Sequence, residues 1–190
     1  MTLLILGLLL WSGVHFIPSL AIPLKNNWKN RLGDKGYQLS FSLIVVLSLL
    51  LIVFGWRSIT PTTIYTLPEV TRPVALLLMV LAFLLFGASH NVTRIKQFIR
   101  HPQLSSVIVW SFAHLLANGD NRSLVLFGGM AVWAILEMLA INRREGAWVK
   151  AEIPSWPVEI KGNAISLIIL IVTALAHPYI AGVSIIPGAH

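Results

Sequence analysis

His15 and His114 lie inside long, uncharged apolar runs, where an ionisable side chain is costly to place. His15 lies near the N-terminus, and His114 lies thirteen residues after His101, which stands at the start of another such run. Neutral imidazole is a common ligand for iron, copper and zinc, and the chain has no cysteine that could supply a thiolate. These residue types indicate a metal or ligand site at His15 and His114.

The composition predicts the environment that holds these histidines. Hydrophobic residues make up 56% of the chain and charged residues only 11%, with a mean hydropathy of +0.80. A soluble surface cannot be covered by so few polar side chains. We therefore expect an all-α, polytopic integral membrane helical bundle in contact with the lipid bilayer, formed as one domain because 190 residues leave no room for a soluble one.

Uncharged runs of about 17 to 25 residues are long enough to cross a bilayer, and six are predicted. They are Thr2 to Leu24, Leu39 to Trp56, Pro73 to Ser89, Pro102 to Asn118, Ser123 to Ile141 and Asn163 to Gly182. The first lacks a basic leader and a small-x-small cleavage site, so we interpret it as a retained helix. The fourth and fifth are joined by the short polar turn 119–122, which predicts an antiparallel helical hairpin.

The distribution of charge predicts the topology. Eleven of the fourteen basic residues lie after the first, third and fifth spans: Lys25, Lys29, Arg31, Lys35, Arg94, Lys96, Arg100, Arg143, Arg144, Lys150 and Lys161. Short basic loops stay in the cytoplasm, so both termini are expected on the periplasmic side. The formal charge of +7 is explained by this topology, and no nucleic-acid partner is expected because the basic residues form no single solvated arm.

The predicted depth in the bilayer is similar for two of the histidines. Counting from the cytoplasmic boundaries Leu24 and Pro102, His15 and His114 should both lie near the midplane, at heights that differ by about 4 to 5 Å. His177 should lie further toward the outer leaflet. A metal ion held between two imidazoles, at about 2 Å from each, needs them at one level, and His15 with His114 meets that condition best.

Helical spacing groups polar and aromatic residues around each of these histidines. One stripe holds Gln103, Ser106, Trp110, Ser111, His114 and Asn118, and a second holds Trp11, Ser12, His15 and Ser19. Such stripes should face the interior of the bundle, where Trp11, Phe16 and Trp110 could wall a flat ligand. The alternative is that each histidine only makes an interhelical hydrogen bond.

The other ionisable residues have simpler interpretations. We expect His90 and His101 to lie at the cytoplasmic interface. The role of His177 is left undecided, and the sequence indicates no role for His190, the last residue. Glu137 is the only carboxylate inside a predicted span, and we expect it to form a structural ion pair with Arg100 or Arg143, with a proton-relay role as the alternative.

A set of motifs resembles a known family. The chain contains Arg100, His101, Pro102 and Gln103, then Trp110, then Ala113 to Asp120, then Ser123, Leu124 and Phe127 to Gly129, with Arg31, Leu32, Gly33, Gly36 and Tyr37 earlier. This pattern resembles the signature of the NnrU family of membrane proteins, which is similar to 15-cis-zeta-carotene isomerase, a haem b membrane enzyme. The likeness covers nearly the whole chain and implies a single NnrU-like transmembrane domain over residues 1 to 190, in a bacterial inner membrane.

The resemblance also implies a cofactor and an activity. His15 and His114 match the proposed axial ligands of a bis-histidine haem b, with Trp110, Arg100 and Asn118 as further cofactor-binding residues. Redox change would release one ligand and open the iron to a cis double bond of a polyene such as zeta-carotene. NnrU proteins are associated with denitrification. Arg94, Lys96 and Arg100 lie near enough to the cytoplasmic face to be candidates for binding haem propionates.

Two other functions remain open. The arginine-histidine-proline segment also resembles membrane methyltransferases of the isoprenylcysteine carboxyl type, which bind S-adenosylmethionine. Here Leu104 stands where those enzymes have a tyrosine, and Glu137 and Glu145 do not form their adjacent glutamate pair. The third interpretation is a non-enzymatic membrane factor that supports nitrite or nitric oxide reductase.

Overall fold

The apolar runs form α-helices, since only hydrogen bonding within the segment satisfies the backbone in hydrocarbon. The computed structural model describes residues 1–150 and 152–183, and that part of the chain contains six α-helices. They are α1 (Thr2–Leu20), α2 (Ile22–Arg57), α3 (Thr71–His90), α4 (Pro102–Ala117), α5 (Asn121–Glu145) and α6 (Trp156–Ala181), with a short 3-10 helix at Arg94–Gln97. The predicted all-helical fold is confirmed.

Five of these helices are long and apolar enough to cross a membrane, namely all except α4. Helix α4 has 16 residues, which corresponds to about 24 Å and is shorter than a typical span. The helical character predicted for all six apolar runs is present, and five candidate spans support a helical membrane bundle.

The first connection differs from the prediction. The first span was expected to continue to Leu24, but α1 ends at Leu20 and α2 begins at Ile22. The basic segment 25–38, expected to be a loop, is helical. Its residues are mostly compatible with a helix, and the backbone departs from helical geometry only at Gly33, whose φ of 71° favours glycine. Helix α2 is therefore two helical pieces joined at Gly33.

Helix α5 lies between α1 and α4 and contacts both. Helix α1 also packs against α2, α4 against α3, and α3 against α6. One cluster of buried apolar residues joins α1, α2, α4 and α5 and consists of Leu4, Leu8, Ile52, Leu104, Met130, Trp133 and Ala134. The elements that carry His15 and His114 therefore flank opposite sides of one central helix.

The end of α1 and the basic loops before α4 and before α6 meet at one end of the bundle, which we call the basic end. Arg144 Nη1 donates to the carbonyl of Pro18 at 2.6 Å, and Arg100 Nη1 donates to the carbonyl of Gly146 at 2.8 Å. Arg94 Nη2 donates to the carbonyl of Pro154 at 3.2 Å. Two of the loops grouped by their charge in the sequence thus lie together in space.

The opposite end is closed by the loop before α3. Tyr65 Oη donates to the carbonyls of Leu115 at 2.7 Å and Asn118 at 3.1 Å. The backbone N–H of Tyr65 donates to the carbonyl of Gly119, and a Cβ at Gly119 would collide with the carbonyl of Tyr65. Asp120 then caps α5 by accepting from the N–H of Ser123 at 3.0 Å. The predicted α4–α5 hairpin is present, with its turn fixed by these contacts.

Candidate functional site

The two midspan histidines share a local motif, Trp-Ser-x-x-His, at 11–15 and at 110–114. His15 Nδ1 lies 2.7 Å from the carbonyl of Trp11, and His114 Nδ1 lies 2.9 Å from the carbonyl of Trp110. A carbonyl only accepts, so Nδ1 is the protonated donor and Nε2 of the neutral ring carries a lone pair. This is the arrangement that orients imidazole ligands in metal sites.

His15 lies in an aromatic surrounding built by α1, α2 and α5. Its ring centroid is 4.3 Å from that of Trp11, 5.2 Å from Trp133 and 5.5 Å from Phe41. Trp133 is only 6% exposed. The indole N–H groups of Trp11 and Trp133 are buried and have no hydrogen-bond partner among the described residues. A buried donor without an acceptor is costly, so two such donors beside one imidazole suit a ligand with acceptor atoms.

His114 lies between α5 and α6. Its ring stacks on Phe127 with 4.3 Å between centroids, and the ring of His177 is 6.4 Å away at an interplanar angle of 26°. His177 Nδ1 lies 2.7 Å from the carbonyl of Val183, so its Nε2 is also left with a lone pair. The sequence left the role of His177 undecided. Asn163, Ser166 and Thr173 share its side of the predicted helix, and Pro178 follows it.

The structure brings His114 to His177 and records no contact between His15 and His114 in the described part of the chain. His15 lies against Trp133 and His114 against Phe127, six residues apart on α5, which is about 9 Å along its axis. A single iron needs both ligand nitrogens within about 4 Å of each other. Joint ligation by His15 and His114 would therefore require their rings to move toward a common level.

The remaining predicted residues of this site divide between the two ends of α4. Trp110 contacts Phe127 at 4.9 Å, and Asn118 Nδ2 donates to the carbonyl of His114 at 3.0 Å. Both therefore lie with His114. Arg100 lies at the basic end, and the twelve residues from Pro102 to His114 correspond to about 18 Å.

Two of the candidate propionate-binding residues, Arg94 and Lys96, make contacts with other groups of the protein. The guanidinium of Arg94 lies 4.1 Å above the ring of Trp156. Lys96 Nζ donates to the carbonyls of Ser89 at 3.1 Å and Asn91 at 2.8 Å. These contacts hold the two side chains near the basic end. The backbone N–H of Arg94 donates to Glu159 Oε2 at 2.8 Å, but neither cationic side chain has an ion pair recorded in residues 1–150 and 152–183.

Most of the polar stripe of α4 faces the interior as expected, but its first residue, Gln103, is exposed. Ser106 and Ser111 are buried, and Phe112 on the other side is exposed. The hydroxyl of Ser111 has no hydrogen-bond partner among the described residues. Leu104, expected on the apolar side, is buried as well, because α3 and α5 flank α4 on two sides.

The ion pair predicted for Glu137 is wrong. Glu137 is 7% exposed and accepts a hydrogen bond from Ser19 Oγ at 3.0 Å. Arg100 instead pairs with Glu145 at 3.5 Å, and Arg143 is exposed. The reason is the position of α1, whose last turn packs against α5 and places a hydroxyl beside the carboxyl group.

The interfacial histidines have ordinary polar partners. His90 is exposed, and its Nδ1 lies 2.8 Å from Ser89 Oγ. His101 Nε2 lies 2.8 Å from Asn142 Oδ1. His190 lies outside the described residues. Across residues 1–150 and 152–183, no three His, Cys, Asp or Glu side chains are close enough to hold a metal ion.

Comparison with known proteins identifies the family. Searches of curated proteins and of solved structures return no match. The family model described as NnrU protein matches residues 3–185, which is nearly the whole chain. Helices α2 to α6, all of α1 except Thr2, the Arg-His-Pro-Gln segment, His15 and His114 fall within the match. The chain therefore belongs to the NnrU family.

Proposed function

We propose that this protein binds haem b within the membrane, with His15 and His114 as its axial ligands. The observation that supports the proposal is the shared Trp-Ser-x-x-His geometry, in which a tryptophan carbonyl engages Nδ1 and leaves Nε2 for iron. A haem iron takes four ligands from the porphyrin and needs only one or two from the protein. The donor chemistry of these two imidazoles fits that requirement.

The surroundings fit the rest of such a ligand. Trp11, Trp133, Phe41 and Phe127 supply aromatic surface beside the imidazoles, and aromatic side chains commonly line cofactor pockets. The unpartnered indole N–H groups of Trp11 and Trp133 can donate to acceptor atoms of a bound molecule. These donors have no evident role in a helix interface that serves packing alone.

The second ligand position has a competing candidate in His177. The Nδ1 of His177 also lies against a backbone carbonyl, so its Nε2 would be available to hold the iron. The His114 and His177 centroids are 6.4 Å apart. The pair His114 and His177 is therefore the alternative to His15 and His114.

The proposed activity is cis–trans isomerisation of an apolar polyene such as zeta-carotene. When bound, haem would supply an iron centre whose reactivity depends on its axial ligands and on the polarity of the pocket. The tryptophan carbonyls would orient the imidazoles, and the aromatic rings would exclude water. The same arrangement serves a non-enzymatic haem protein linked to denitrification, and incubation of the haem-loaded protein with the cis polyene separates the two.

For the topology, we propose that the basic end faces the cytoplasm of a bacterial inner membrane and that both termini are periplasmic. This is supported by the meeting of the end of α1 with the basic loops before α4 and before α6 at one end of the bundle and by the preference of basic segments for the cytoplasm. Labelling of single cysteines, introduced at Lys35 and Arg72 into this cysteine-free chain, tests the assignment.

An absorption spectrum tests haem binding. Protein expressed with a haem supply and purified in detergent is expected to show a Soret band and low-spin α and β bands. His114→Ala should abolish the low-spin spectrum, and His15→Ala should do the same if His15 is the second ligand. Loss with His177→Ala instead of His15→Ala would move that ligand to His177.

His90→Ala is the matched control, since His90 is exposed and bonded to Ser89. Its spectrum should equal that of the wild type. Absence of a Soret band in the wild type would refute haem binding, and labelled S-adenosylmethionine bound in its place would indicate a methyltransferase.

A further inference from the structure

A cavity of about 380 Å³ lies at the basic end, and neither His15 nor His114 lines it. Lys96, Arg100, His101, Glu145, Trp148 and Val149 line it. We call it the basic cavity. It is open on one side and combines fixed cations with apolar side chains, a combination that none of the histidine surroundings shows.

The basic cavity carries a net positive charge. Glu145 is its only carboxylate, and that group already pairs with Arg144 at 2.8 Å and with Arg100 at 3.5 Å. Lys96 Nζ is held by two backbone carbonyls, and Arg100 Nη1 donates to a third, that of Gly146. The carbonyls fix the positions of these cations without neutralising them.

Apolar side chains border the cations. Val149 lines the cavity and is 89% exposed. Phe98, two residues in the chain from both Lys96 and Arg100, is 83% exposed. Trp148 lines the cavity, with Lys150 Nζ 5.4 Å above its ring. Tryptophan and lysine are typical of the membrane interface. Exposed apolar groups at this position suit acyl chains, and the adjacent cations suit a phosphate group.

We propose that the basic cavity binds an anionic phospholipid, with the phosphodiester at Lys96 and Arg100 and the acyl chains along Trp148 and Val149. Basic pockets on the cytoplasmic side of transmembrane helices commonly bind such head groups. A haem propionate is a poorer occupant, because the length of α4 separates this cavity from His114 by about 18 Å. The proposal does not depend on haem binding.

Native mass spectrometry of the full chain in mild detergent, with phosphatidylglycerol or phosphatidylcholine added, tests the proposal. Wild-type protein should retain phosphatidylglycerol with about a thirtyfold preference, as expected for two interfacial cations. Lys96→Gln combined with Arg100→Gln should reduce that preference about tenfold or more. Arg100→Lys, which keeps the charge, should retain most of it.

Lys35→Gln is the matched control, since Lys35 is exposed and lies outside the cavity. Circular dichroism should show the same helicity for every variant. Equal retention of the two lipids by the wild type, or equal loss of preference in Lys35→Gln, would overturn the proposal. Thermal stabilisation by inorganic phosphate equal to that by phosphatidylglycerol would also overturn the proposal, since the site would then bind free anions.

Discussion

Substitution of Gly55 by alanine tests whether close helix contact positions His15. A Cβ at Gly55 would lie within 3 Å of the backbone of Leu3 and Leu4, so α1 and α2 would have to separate. Forced overpacking costs about 1 to 3 kcal/mol, and a clash with backbone belongs at the upper end of that range. The better helix propensity of alanine returns about 1 kcal/mol. We expect a net loss of about 2 kcal/mol.

The matched control is Gly128→Ala, since a Cβ at Gly128 meets no atom within 4 Å. Relief of the glycine entropy cost should stabilise that variant by about 0.5 to 1 kcal/mol. Unfolding in mixed micelles with increasing dodecyl sulfate, followed by circular dichroism, measures both values. In haem-loaded protein, Gly55→Ala should also weaken the low-spin bands because α1 carries His15. Equal stability of the two variants would refute the reasoning about α1–α2 contact.

Two further predictions concern polar contacts. Ser19→Ala should lower the free energy of unfolding by about 1 kcal/mol, since it removes the hydroxyl that donates to the buried Glu137. Ser12→Ala removes no such hydrogen bond to a carboxylate and should change the stability less in the same unfolding assay. Burial raises the pKa of Tyr65 above its ordinary value. The stability that the neutral Tyr65 hydroxyl contributes is therefore complete below about pH 10 and is lost as the pH rises through the higher pKa of the folded state. Tyr65→Phe should lower the melting temperature at pH 8 and remove that alkaline decline, and an unchanged decline would contradict this assignment.

Much of the fold follows from the apolar runs. Their length and the charges between them predicted the helices, the α4–α5 hairpin and the grouping of basic loops at one end. The segment 25–38 was mispredicted because charge was taken to indicate a loop, although lysine, arginine and glutamine are good helix formers. Only Gly33 departs from helical geometry there.

The candidate site was predicted in part. The depth and polar stripes selected His15 and His114, and the structure gives both the same Nδ1 contact. The sequence could not show that α5 separates their helices or that α6 brings His177 to His114, because helix order in a bundle depends on packing between distant segments. The same limit explains Glu137, whose partner Ser19 lies 118 residues away in the chain.

The central position of α5 has a consequence for helical phase. Phe127 and Trp133 present the surfaces that meet His114 and His15, and their relative direction is determined by their spacing of six positions along the helix. Each residue turns an α-helix by about 100°. Inserting one alanine between them would rotate one aromatic surface by that angle relative to the other, whereas a four-residue insertion would nearly restore the direction. Helix α5 therefore acts as a spacer that sets the orientation of the aromatic surface at His15 relative to the one at His114.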